Sequence, residues 1–348
     1  MSKVYEMLPE SVTRRSATVR LRGPRTRSWV WRIVSVIVVG YLLLVVPGER
    51  GATVFLIANT AILALFALST NLLVGHAGIV CFGEAVFYGL GSYAASLISQ
   101  HMALDALPLL AAAAATGAAA ALAVGFITVR IYGMSLAMLT LAIGQICFLY
   151  FSTTGSVGGE NGLVTLGPSH AAGIDITSQR HLYEFVAVMV VIAAAALYWV
   201  YRSPFGLILR VMREDHVRLR YLGINPAAVK VLAFTISGAI AGFAGGLSTF
   251  ANQIVTPEVF NWTNSGSPVL MSALGGFDSF VGPIFGAGIY SWLTDHLTGG
   301  TIDPNLVLGA ILIVVVLAVP TGVVRVGERV RNLLAGYRRS HRARRDHA

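Results

Sequence analysis

Few residues in this chain have side chains that could do chemistry, and most of those sit in apolar surroundings. Glu84 lies inside the run NLLVGHAGIVCFGEAVFYGLGSYAASL, from Asn71 to Leu97. A carboxylate at membrane depth costs roughly 2.5 kcal/mol or more unless it is paired, protonated or facing a polar cavity. Glu84 therefore reads either as a group on a solute pathway or as a locally paired residue near an interface. His76, His101 and His170 are scattered. No His/Asp/Glu cluster has metal-ligand spacing, and no H-E-x-x-H or Ser-His-Asp set is visible. Cys81 and Cys147 both sit in apolar runs and read as free, packed thiols. The lysines are Lys3 and Lys230, and neither follows a glycine-rich loop, so the chain carries no G-x-x-x-x-G-K-[ST] nucleotide site. If ATP drives this protein, another subunit binds it. The chain itself reads as a non-enzyme without cofactor or metal.

Composition explains why reactive groups are sparse. Hydrophobic residues make up 55% and charged residues 12% of the 348 positions, where a soluble domain has about 25% charged. So much apolar surface calls for a lipid environment and a polytopic helical membrane protein. The net charge of +9 is not spread evenly: 21 of the 25 Lys and Arg fall in three blocks. Seven precede Trp29, six lie between Arg202 and Lys230, and eight follow from Arg325. Basic blocks beside apolar spans follow the positive-inside rule and suit an anionic inner leaflet. Their aromatics are few (Tyr5, Phe205, Tyr221 and Tyr337), and no zinc or helix-turn-helix pattern accompanies them, so nucleic acid is not an expected partner.

The elements follow from the apolar runs. Residues 1–28 form a basic cytoplasmic tail, 29–320 the membrane domain, and 321–348 a second basic cytoplasmic tail. An uncleaved first span is expected from Trp29 to Val46, ended by Pro47-Gly48, and a second from Ala52 to Val74. The Asn71–Leu97 run is rich in glycine, which lets helices break or approach closely. Further spans are expected at Leu104–Val129, from Tyr132 outward, and at Leu182–Tyr201, Val231–Ala251, Val281–Leu297 and Pro304–Val319. Between them, 153–181 and Asn252–Gly266 read as polar external connections. The apolar run from Ser267 is too short to cross and reads as a half-helix turning at Gly275-Gly276. Gly89-Leu90-Gly91-Ser92-Tyr93 echoes Gly286-Ala287-Gly288-Ile289-Tyr290, and broken segments in corresponding halves point to a substrate pathway. The expected fold is all-α, a bundle of about 8–10 transmembrane helices with glycine-broken segments.

One charged stretch interrupts the apolar sequence: SPFGLILRVMREDHVRLRYLGINP, Ser203 to Pro226. It reads as a single bounded helix. Ser203 is a good N-cap, Pro204 fits the first turn, and Gly223 can close the C-terminus. Asn225-Pro226 starts the next helix. Ile208, Val211, Met212, Leu219 and Leu222 share one side at helical spacing, with Asp215 among them. The spacing fits a solvated topological loop and a docking helix for a soluble partner equally well.

Four blocks together resemble the permease subunits of bacterial ABC importers of the branched-chain amino acid type, the LivM-like branch especially. They are NLLVGHAGIVCFGEAVFYGLGSYAA, YGMSLAMLTLAIGQ with TGSVGGENGL, SPFGLILRVMREDHVRLRYLGIN, and SALGGFDSFVGPIFGA. The likeness covers Asn59 to Pro320 and departs at two places. Glu84 stands where relatives commonly carry His or Gln, and Asp278 where many carry Gly. The resemblance implies that 203–225 is a cytoplasmic coupling helix seated in a groove of an ATPase subunit. Gly206 would permit close approach, Arg210 and Arg213 would meet acidic groups, Glu214 and Asp215 would meet basic ones, and Gly223 would end the element. It also implies two ABC ATPase subunits, a second permease that is identical or related, and an external solute-binding protein docking near Glu160 and Asn161. The location implied is the bacterial inner membrane, with both termini cytoplasmic. The polar residues expected along the pathway are Asn71, Glu84, Thr140 and Gln145. The cargo expected is a branched-chain or related amino acid, with urea or short amides as the alternative of the same type. A gradient-driven secondary transporter using Glu84 as a proton site is the alternative of a different class.

Overall fold

Apolar runs bounded by cap and break signals become helices at nearly every expected place. The computed structural model describes residues 51–101, 105–165, 170–171, 174–175, 178–297 and 309. The expected first and last spans and both basic tails lie outside them. Helix α1 is Gly51–Asn71, and its last turn continues as a π-turn at Leu72–His76. After an irregular segment, α2 runs Glu84–His101, α3 Ala106–Ile127 and α4 Met134–Thr153. Helix α5 is Gln179–Arg202, followed by the short pair α6, Pro204–Glu214, and α7, His216–Tyr221. Helix α8 is Pro226–Asn252, α9 Trp262–Gly275 and α10 Gly282–Leu297. Five of these segments are long and apolar enough to cross a membrane: Phe55–His76, Ala106–Ile127, Met134–Thr153, Arg180–Arg202 and Pro226–Asn252.

Helix α8 is the hub. It packs on α1, α2 and α3, and glycines make the approach possible. A Cβ on Gly91 would lie 2.3 Å from the Gly242 carbonyl oxygen, and one on Gly117 would lie 2.3 Å from that of Gly238. Small residues at such crossings replace the hydrophobic driving force that lipid does not supply. Helices α9 and α10 form a hairpin with the same device, since a Cβ on Gly286 would strike the Met271 carbonyl. The hairpin leans on α1, where Ser272 Oγ donates to the Ala67 carbonyl at 3.1 Å and Thr60 Oγ1 donates to Ser291 Oγ at 2.6 Å. The two halves of the sequence echo are not equivalent: Gly91 is wedged against α8, whereas Gly288 has nothing within 4 Å of an added Cβ.

Two expectations change. The charged stretch is two helices, not one. Asp215 adopts extended backbone (φ −161°, ψ 113°) and caps α7, its carboxylate accepting from Val217 N at 2.8 Å. An Asp side chain competes with the helix for local N–H groups, which spacing alone does not reveal. The half-helix also begins earlier than expected. Asn261 caps it, accepting from Thr263 N at 3.5 Å, so Trp262–Gly266 joins α9 and not the external connection.

The exposed arginines Arg130, Arg202, Arg210, Arg213, Arg218 and Arg220 gather at one end of the bundle, the basic end. At the opposite end, a two-residue antiparallel ladder joins β1, Leu163–Val164, to a strand at Ile254–Val255, with Leu163 opposite Val255. The two long polar connections are thereby tied together.

Candidate functional site

The residues singled out by sequence converge on the interruption between α1 and α2. Asn71 is fully buried where the π-turn begins, and its Nδ2 donates to the Ser279 carbonyl in the α9–α10 turn at 3.4 Å. Thr140 reaches the other side of the interruption, accepting from Phe82 N at 3.1 Å and donating to the Ala137 carbonyl at 3.0 Å. Glu84 opens α2 and is fully buried. Ser237 Oγ on α8 stands 3.2 Å from each of its carboxyl oxygens and 2.8 Å from the Ser69 carbonyl. None of the ion pairs among the described residues includes Glu84. Asn71, Glu84 and Thr140 thus cradle one broken segment from three directions. Gln145 does not join them; it lies on the exposed face of α4 beside Ile146 and Leu149.

A buried carboxyl served by one hydroxyl gives a clear expectation. Glu84→Gln, which keeps the shape and supplies its own N–H donors, should leave the melting temperature close to wild type. Glu84→Lys, which places a longer cation in the same closed space, should abolish a monodisperse detergent-solubilised protein. Size-exclusion chromatography of the two variants checks this. Equal behaviour would mean that Glu84 is not confined in a closed space.

The second interruption is the turn Gly276–Val281 between α9 and α10. It meets the first directly, since a Cβ on Gly75 would lie 2.6 Å from the Phe277 carbonyl oxygen. Phe280 from this turn packs edge-on against Tyr198 and Tyr201 of α5, and His76 stands edge-on to Tyr201 at 4.1 Å. Tyr201 OH in turn donates to the Leu68 carbonyl at 3.2 Å. The end of α5 therefore closes over both interruptions.

Helices α6 and α7 lie at this same end. Leu209, Met212 and Leu219 are buried, while Leu207, Val217, Tyr221 and Leu222 are exposed. The break at Asp215 rotates the second half, so Leu222 falls outside the buried side; Leu209, within α6, is buried as well. Gly206 does approach a backbone closely, but that of its own chain: a Cβ there would lie 2.3 Å from the Tyr201 carbonyl oxygen. Ser203 precedes α6 without capping it, its hydroxyl donating back to the Val200 carbonyl at 2.7 Å. Asp215 is engaged by Val217 N and by Arg218 at 3.4 Å. Arg210 and Glu214 are exposed. Arg213 turns inward to the two interruptions, with its Nη1 donating to the Gly75 carbonyl and to Asp278 Oδ1. Gly223 is left-handed (φ +75°) and closes α7 with paired bonds, Ile224 N to the Leu219 carbonyl and Gly223 N to that of Arg220, both 3.0 Å. At the opposite end Glu160 and Asn161 are exposed, on the connection that carries the β1 ladder.

One residue of this region was legible in the sequence and its role was not. Lys230, one turn into α8, is 1% exposed. Its Nζ donates to the Thr128 carbonyl at 2.6 Å and the Ile131 carbonyl at 2.5 Å and lies over the Tyr132 ring at 4.6 Å. It is a cation on the C-terminus of α3, where the helix dipole favours one. A lone lysine in an apolar span was the available signal.

Apolar helices, two interruptions brought face to face, and an amphipathic helix pair beneath them define a multi-pass membrane transport subunit. The chain belongs to the family described as the branched-chain amino acid transport system permease component, whose model matches residues 52–319. Among curated relatives, the high-affinity branched-chain amino acid transport system permease protein LivM of Salmonella typhimurium is 28% identical over 287 residues, 76% of this chain and 68% of that protein. LivM of Escherichia coli is 28% identical over 298 residues, 79% of this chain and 70% of its own. LivH of Escherichia coli is 27% identical over 281 residues, 75% of this chain and 90% of its own. No solved structure matches the chain.

Proposed function

We propose that this chain is the translocating subunit of a binding-protein-dependent ABC importer that moves branched-chain or related amino acids across the inner membrane. ATP is hydrolysed on separate subunits, and α6–α7 is where they dock. The observation that carries this reading is the position of α6–α7. Its inner side is buried directly beneath both interruptions, and its outer side offers Leu207, Arg210, Glu214, Val217, Tyr221 and Leu222. An apolar patch ringed by charge of both signs suits a specific protein partner. Movement of a docked partner would then reach the pathway as a rigid-body shift, with no nucleotide bound by this chain. In this reading the basic end is cytoplasmic, which accords with the arginine distribution. The ladder-tied connections bearing Glu160 and Asn161 face the solute-binding protein. A second permease completes the pathway.

The test is gentle purification of the tagged protein from its host, followed by transport in proteoliposomes. Two ATPase subunits, a second permease and a solute-binding protein should co-purify, and leucine, isoleucine or valine uptake should require ATP. Uptake that survives ATP depletion and collapses with the proton gradient would overturn the reading. Within such a complex, Arg210→Glu should lower ATPase recovery and uptake by about tenfold, because a charge reversed at an interface repels its former partner. Its melting temperature should not change, since Arg210 is exposed. Wild-type uptake by this variant would remove Arg210 from the docking surface.

A further inference from the structure

Arg213 is placed where three separate stretches of chain meet. The same nitrogen, Nη1, donates to the Gly75 carbonyl in the first interruption and to Asp278 Oδ1, at 2.9 Å, in the second. It carries two hydrogens, one for each acceptor. The seat around it is built for close contact. Gly78 is left-handed (φ +68°), and a Cβ there would lie 2.8 Å from Arg213 Cγ and 3.2 Å from Arg213 Cα. The first interruption is thus laid against the α6 backbone at Arg213. The two interruptions also touch each other, through Gly75 against Phe277 and Asn71 against Ser279. The Arg213 and Asp278 side chains are 43% and 40% exposed. An ion pair that open adds little to stability. Its contribution is alignment: one planar, rigid donor fixes the distance between α6 and both turns.

We propose that Arg213 is the positioning residue that makes the two interruptions move as one body with α6. Displacing α6 carries the Gly75 turn and the Asp278 turn together, and loss of the Arg213 contacts uncouples the pair of turns from α6. That this body gates a solute pathway rests on the proposed importer function; the mechanical tie does not.

The tie can be read without substrate, ATPase or partner. Cys81 lies in the first interruption and is fully buried. In a Cys147→Ala background it is the remaining thiol of the chain. Its alkylation by a maleimide in the purified permease reports opening of that segment. Asp278→Asn changes a side chain of the second interruption, and it should speed alkylation of Cys81 in the first by about two- to fivefold. Arg213→Gln should do so at least as strongly, and Arg213→Lys should fall between Gln and wild type. Raising the salt concentration on the otherwise unaltered protein should accelerate the reaction too, because a half-exposed pair is screened. That arm decides the matter even if a variant fails to fold. A wild-type rate in Asp278→Asn together with no effect of salt would overturn the proposal, whatever the outcome of transport assays.

Discussion

Replacing Lys230 with methionine should destabilise the purified protein by roughly 3 kcal/mol, the loss of two hydrogen bonds to a charged donor. Methionine keeps most of the hydrocarbon stem, so packing is nearly conserved and the polar contribution is isolated. The Thr128 and Ile131 carbonyls would be left without the Nζ that serves them. The charge opposite the α3 dipole would disappear as well. Alanine should be worse than methionine, because it adds a void at a position 1% exposed. Thermal unfolding of the two variants in detergent, followed by intrinsic fluorescence, checks the order. A methionine variant as stable as wild type would show that the cap is idle.

Gly91→Leu should prevent assembly altogether. Over-packing a core usually costs about 1–3 kcal/mol because side chains can yield. Here the obstacle is backbone: an added Cβ would lie 2.3 Å from the Gly242 carbonyl oxygen and 2.5 Å from its Cα. Helices α2 and α8 would have to separate along a seam that α3 shares through Gly117. The expected readout is loss of the monodisperse peak of a fluorescent fusion on size-exclusion chromatography. Gly288→Leu is the control. It occupies the corresponding place in the sequence echo, but nothing lies within 4 Å of an added Cβ there, so its peak should persist. Matching loss in both would mean that any bulk in these helices is harmful.

The contrast between Gly91 and Gly288 shows where sequence reading reaches its limit. The apolar runs, the glycine breaks after Asn71 and at Gly275-Gly276, and the caps at Pro204, Gly223 and Asn225 are local signals, and the helices form where those signals stand. Partner choice is not local. Ser237 reaches Glu84 across 153 positions, Arg213 reaches Asp278 across 65, and Lys230 reaches Thr128 across 102. No periodicity encodes which buried group meets which. The contacts of Arg213 are of this kind: Arg210 and Arg213 carried the same expectation, but Arg213 reaches the Gly75 carbonyl and Asp278. The split at Asp215 is a different case. Its signal was local, an acidic residue able to cap the helix that begins at His216, but continuous helical spacing on both sides masked it. For the site itself, Asn71, Glu84 and Thr140 were identifiable as polar residues in apolar runs. Their common location around one broken segment became visible only in three dimensions.

The length of α9 has a consequence for the course of the chain. Its 14 residues rise about 21 Å, against a hydrocarbon slab of about 30 Å. At its far end stand Arg213 and Asp278, both substantially open to water. A helix of that length falls short of a full crossing, so the chain reverses at the Gly276–Val281 turn and α10 continues from there.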